Sequence, residues 1–169
     1  MCYNKHRLGE IMDTKPVLYI IQGLVGSGKT TFSKKLAAEK NAVHLCPDEW
    51  VTNLFTKAEY MADWNKCFDD VLIKLWNKTI EHLTSGESVI FDMGFWYKKD
   101  RNFARVIASE CGADLVHYHL VVPDEILKER IISSRPKEWA DKHLEKFDEN
   151  KLSYEAPTPE ENAIVINNY

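Results

Sequence analysis

Gly23-Leu24-Val25-Gly26-Ser27-Gly28-Lys29-Thr30 satisfies the pattern G-x-x-x-x-G-K-[ST] at every specified position. The flanking sequence agrees with it. Val17-Leu18-Tyr19-Ile20-Ile21 is a short apolar run of the kind that forms a buried strand, and Thr31 to Lys40 reads as a helix. Glycines let backbone N–H groups curl inward with no side chain in the way. Those groups, with the positive end of the following helix, hold phosphate oxygens. Lys29 is placed to reach the β- and γ-phosphates, and the Thr30 hydroxyl to ligate Mg²⁺. An accidental glycine-rich turn is the competing reading; the strand before and the helix after weigh against it. Gly23, Leu24, Val25, Gly26, Ser27, Gly28, Lys29, Thr30 and Thr31 are therefore expected to cradle ATP.

Downstream the pattern alternates strand and helix. Ala42-Val43-His44-Leu45 reads as a second short strand ending at Cys46-Pro47-Asp48. Trp64, Phe68, Val71, Leu72, Leu75, Trp76, Ile80 and Leu83 recur at three- and four-residue intervals, the apolar face of a long helix, with Trp64 assigned to the core. Ser85-Gly86-Glu87 closes that helix. Ser88-Val89-Ile90-Phe91-Asp92 is a third strand with an acid at its end. Lys98 or Lys99 to Cys111 is helical, with Phe103, Val106 and Ile107 as its apolar positions. Asp114 to Val122 is a fourth strand, Pro123-Asp124 opens a helix to about Ser133, and Ala163-Ile164-Val165-Ile166 is a late strand. This alternation predicts an α/β protein with the three-layer P-loop NTPase fold. A mostly parallel five-stranded sheet carries helices on both faces, and a short lid lies around Arg130 to Lys137.

The chain has 169 residues, 44% hydrophobic and 28% charged, the composition of one ordinary globular domain. Residues 1–15 read as a loose tail and 16–169 as a single domain. No apolar run approaches the length of a membrane span, and the N-terminus lacks the apolar stretch of a secretory signal. The four cysteines, Cys2, Cys46, Cys67 and Cys111, have no C-x-x-C spacing and read as free thiols of a cytoplasmic protein. The net charge of −4 argues against broad nucleic-acid binding, which usually needs a basic surface.

In parallel α/β sheets ligands bind at the carboxyl ends of the strands. Lys29, Asp48 and Asp92 all fall there. A hydroxyl attacking a γ-phosphate must lose its proton, and Asp48 is the candidate to accept it. The competing reading makes Asp48 only the cap of a helix beginning at Glu49. Asp92 is expected to orient Mg²⁺ or to face the acceptor. Arg130 and Arg135 are candidates to neutralise the transferring phosphoryl group from a flap; solvated pairing with Glu125 or Glu129 is the alternative. Arg101 is a candidate anion contact in the acceptor site, or a helix-start decoration. Of the aromatics Phe95, Trp96 and Tyr97, which cannot all point inward, Trp96 is the candidate wall of the acceptor pocket. His44, His117 and His119 read as ordinary strand residues.

From Val17 to about Arg135 the chain resembles small P-loop kinases of the zeta-toxin, chloramphenicol-phosphotransferase and 5′-polynucleotide-kinase type. The resemblance rests on the phosphate loop, Pro47-Asp48-Glu49-Trp50, Phe91-Asp92-Met93-Gly94 followed by Arg101, and Val122-Pro123-Asp124-Glu125 leading to Arg130 and Arg135. It implies that Asp48 is the base on the acceptor hydroxyl and that the lid arginines contact the phosphates. Polynucleotide kinases carry an arginine three residues after that aspartate, and here the position is Val51. The expectation is thus an ATP- and Mg²⁺-dependent kinase acting on a hydroxyl of a small molecule. The alternatives are a nucleic-acid 5′-end kinase, a nucleotide-dependent switch or ATPase acting on a partner protein, and a binding module without catalysis. Asn65-Lys66-Cys67-Phe68 fails the guanine-reading N-K-x-D pattern at its last position.

Overall fold

Five parallel strands lie in the order β2-β3-β1-β4-β5 in a computed structural model that describes residues 15–134 and 136–169. They are β1 (Val17–Gln22), β2 (Val43–Leu45), β3 (Val89–Gly94), β4 (Asp114–Val121) and β5 (Ile164–Asn167). Leu18 pairs with Val89 on one side and Leu115 on the other, which makes β1 the centre of the sheet. The expected three-layer α/β fold is the observed one. The N-terminal tail, Cys2 within it, and Arg135 lie outside the described residues.

The alternation of β1 sorts its side chains onto two faces. Leu18 and Ile20 pack with Val71, Leu75, Trp76, Ala104 and Ile107 from α4 (Trp64–Thr84) and α5 (Lys98–Glu110). Tyr19 and Ile21 pack with Leu36 of α1 (Lys29–Lys40) on the opposite face. A third, smaller cluster around Val122, Leu127, Ile131, Ala140 and Phe147 joins α6 (Asp124–Ser134), α7 (Lys137–Glu145) and α8 (Phe147–Ser153). Leu24 and Val25 of the glycine-rich loop pack against it. Between β2 and α4 stand α2 (Pro47–Leu54) and α3 (Lys57–Ala62).

Several local expectations change. β3 runs two residues past Asp92, so that carboxylate sits inside the strand rather than at its end. Trp64 is 39% exposed, not core: Asp63 accepts from the Lys66 N–H and caps α4, which leaves Trp64 at the helix start, edge-on to Tyr60. On α5 the buried face is Arg101, Ala104, Ile107 and Ala108, while Phe103 and Val106 are exposed. No helix among the described residues is long and apolar enough to cross a membrane.

Candidate active site

The phosphate loop links the carboxyl end of β1 to α1, and its shape is set by two glycines in the left-handed region, Gly26 at φ 83° and Gly28 at φ 84°. Gly26 is also obligatory sterically, because a Cβ there would stand 2.9 Å from the Leu127 carbonyl of α6. The loop is braced from outside. The Gly23 N–H donates to the Gly94 carbonyl at 3.3 Å, and the Trp96 indole Nε1–H donates to the Gly23 carbonyl at 3.1 Å. Lys29 Nζ donates to the Leu24 carbonyl at 3.0 Å, so the ammonium arches over the loop. Burial pushes its pKa down from the ordinary lysine value, while the charges of Asp92 and then Asp48 oppose that shift. Lys29, Asp92 and Asp48 therefore share one electrostatic neighbourhood at the strand ends.

Asp48 lies in the first turn of α2 and is exposed. The helix starts at Pro47 and its N-cap is Cys46, with no side-chain cap bond, so Asp48 is not the cap of a helix beginning at Glu49. The neighbouring Cys46 thiol is pushed up to about 12, by burial first and then by Asp92, and stays protonated.

Asp92 is buried, and its Oδ2 has no hydrogen-bond partner. His44 Nε2 lies 3.5 Å from that oxygen and is itself without a hydrogen bond. A buried carboxylate oxygen in that condition is a ready ligand for a cation or its water. With the exposed Thr30 hydroxyl in the first turn of α1, it fits a magnesium site. In sequence His44 reads as an ordinary strand residue. The signal lies in the sheet register: His44 pairs with Ile90, two residues before Asp92 on the same face.

Arg101 does not reach the site. It is fully buried, with Nε 2.7 Å from Glu161 Oε1 and the second amino group 3.0 Å from Oε2. Its other amino nitrogen donates to the carbonyls of Phe95, Trp96 and Glu155. The expected anion contact is thus a structural clamp between the β3–α5 turn and the C-terminal segment. Trp96 is half-buried behind the loop, where its ring faces Tyr154 edge-on, while Phe95 is core and Tyr97 exposed. His117 is buried as well. It shares a 2.8 Å bond with Gln22 Oε1, and the Gln22 amide in turn donates to the Glu155 carbonyl. Arg130 is half-buried on α6, three residues past Leu127, and has no ion-pair partner among the described residues; Arg135 is not described.

Solved structures share the architecture. A gluconokinase from Sinorhizobium meliloti superposes at a TM-score of 0.61 with 19% identity, covering 92% of this chain and 84% of that one. A sugar kinase from Janibacter gives 0.58 and 20%, covering 91% and 85%. Kti12 from Chaetomium thermophilum, in complex with ADP-AlF3, gives 0.65 and 17%, covering 89% and 88%. At these identities the likeness is one of fold. The comparison with curated proteins finds no match. A family model described as an AAA domain matches residues 18–157, a span that takes in the phosphate loop, Asp48, Asp92 and the first four strands. By that match the chain belongs to the AAA domain family.

Proposed function

We propose that this chain is a kinase that transfers the γ-phosphate of ATP to a hydroxyl of a small-molecule acceptor. One observation supports the reading: the parallel order β2-β3-β1 brings Asp48, Asp92 and Lys29 to one edge of the sheet, beside a loop shaped by two left-handed glycines. The loop N–H groups and Lys29 bind the phosphates and face the charge that builds on the transferring group. Arg130, extending from the helix that rests on Gly26, and Arg135 after it add positive charge from the lid. Asp48, exposed at the start of α2, accepts the acceptor's proton. The acceptor oxygen forms a bond to the γ-phosphorus, the bond from that phosphorus to the bridging oxygen breaks, and ADP leaves with the bond pair. Thr30 and Asp92 would hold Mg²⁺, which supplies charge neutralisation on the phosphates when bound.

The sugar-kinase and gluconokinase neighbours support a small polyol as acceptor, and the resemblance to the zeta-toxin and chloramphenicol-phosphotransferase group supports Asp48 as base. Val51 weighs against a polynucleotide end: its side chain is fully buried in the core under α2, so no phosphate-holding group stands there. The test measures transfer of labelled γ-phosphate to sugars, sugar acids, nucleosides and aminoglycoside-type alcohols beside 5′-hydroxyl oligonucleotides, with Lys29→Ala as control. Labelling of small alcohols that Lys29→Ala abolishes is the expected result. Oligonucleotide labelling that fades steeply with salt would replace this reading with an end kinase. Hydrolysis stimulated only by another protein would replace it with a switch.

A further inference from the structure

We propose that Asn168 is a positioning residue for the phosphate loop. Its side-chain amide holds the Ser27–Gly28 peptide so that the Gly28 N–H faces the bound anion. The proposal rests on the nucleotide-binding reading above. Asn168 directly follows β5, and its backbone N–H donates to the Val121 carbonyl at 3.1 Å, which fixes the residue beside the end of β4. From there Nδ2 donates to the Ser27 carbonyl at 2.7 Å, a contact between residues 141 apart in sequence. The same nitrogen lies 2.6 Å from where a Cβ on Gly28 would stand. Gly28 thus answers two demands, its positive φ and the approach of this amide.

A trans peptide is planar, with C=O and N–H pointing to opposite sides. Holding the Ser27 oxygen on the Asn168 side therefore turns the Gly28 N–H the other way, into the loop. Among the described residues the Ser27 carbonyl has no other hydrogen-bond partner, although Ser27 N–H donates to the Leu24 carbonyl and the Gly28 carbonyl accepts from Phe32. Left alone, a peptide that leads into a left-handed glycine samples several orientations. Binding would then have to order it at the moment the anion arrives. The amide of Asn168 does that ordering in advance.

The test compares binding of Mg·ADP and of inorganic pyrophosphate by calorimetry in the wild type, Asn168→Ala and Asn168→Asp. Both ligands use the loop, and only ADP has a base and a ribose. Asn168→Ala is expected to weaken both by the same factor, roughly three- to tenfold for one neutral hydrogen bond. Asn168→Asp, nearly isosteric, should weaken them further, because its carboxylate faces a carbonyl and lies near the phosphates. It also stands in for Asn168→Ala if truncation disturbs the edge strand. Weakening of ADP alone would make Asn168 a base or ribose contact and overturn the proposal. Unchanged affinity for both ligands in Asn168→Asp would overturn it too, leaving the nucleotide reading intact. A wild-type protein that binds neither ligand would overturn both.

Discussion

Asp48 and Arg101 show how much a single side chain's role depends on where its polar end finishes. Asp48 ends exposed at the mouth of the site, and Asp48→Asn keeps its size while removing its basicity. That substitution is expected to leave nucleotide affinity and the α2 start unchanged while lowering phosphoryl transfer by about 10²–10⁴-fold. Single-turnover assays with saturating ATP measure it, and wild-type transfer would reduce Asp48 to a bystander. Arg101 ends in the core, paired with Glu161 through two bonds. Removing one member of such a buried pair strands the other, so Arg101→Ala should cost about 3–5 kcal/mol of stability. Arg101→Met, which restores apolar volume, should recover part of it when Glu161→Leu is added. Urea midpoints decide the matter: an unshifted midpoint with a raised KM for the acceptor would return Arg101 to the substrate site.

At the scale of elements, α6 is the piece poised between loop and solvent. Leu127 and Ile131 bury their side chains, and the Leu127 carbonyl stands 2.9 Å from where a Cβ on Gly26 would lie, while Ile132 lies 61% exposed. Hydrogen exchange across residues 127–134 is expected to slow when an ATP analogue and Mg²⁺ are added, since Arg130 gains its partners only then. Identical exchange with and without nucleotide would show that α6 is a fixed wall. The elements also show what a sequence discloses. The glycine loop, its strand and its helix are local patterns, and so is the succession of Lys29, Asp48 and Asp92 at strand ends. Arg101 was illegible because its partner Glu161 lies sixty residues away. Phe103 and Val106 looked like the buried face of α5 because an arginine was not expected inside it. α7 and α8 have no clear signature in sequence because they are short and highly charged, and the small cluster they share with α6 buries only Ala140 and Phe147 from them.

Across the whole molecule, a buried polar seam of Arg101, Glu161, His117 and Gln22 couples stability to acidity. Burial, then the charge of Arg101, holds His117 down at about 4 against an ordinary 6.5. The hydrogen bonds from Arg101 hold Glu161 down at about 2 against 4.5, despite burial. In both cases the unfolded chain takes up the proton first. The stabilisation is therefore complete above the ordinary value and is lost as pH falls, from 6.5 to 4 for His117 and from 4.5 to 2 for Glu161. The thermal midpoint should drop in two successive stages on acidification, and His117→Gln, which can still donate to Gln22, should flatten only the first. A midpoint that rises between those limits would contradict the linkage. The strand order has another consequence, one that concerns the ribosome. β1 is made before both of its neighbours, Val89 and Leu115 lying opposite Leu18. With synthesis at roughly 5–20 residues per second, the apolar centre of the future sheet waits several seconds in the nascent chain without either of its partners. During that wait the glycine loop that defines the site is attached to a strand whose native neighbours, β3 and β4, are not yet made.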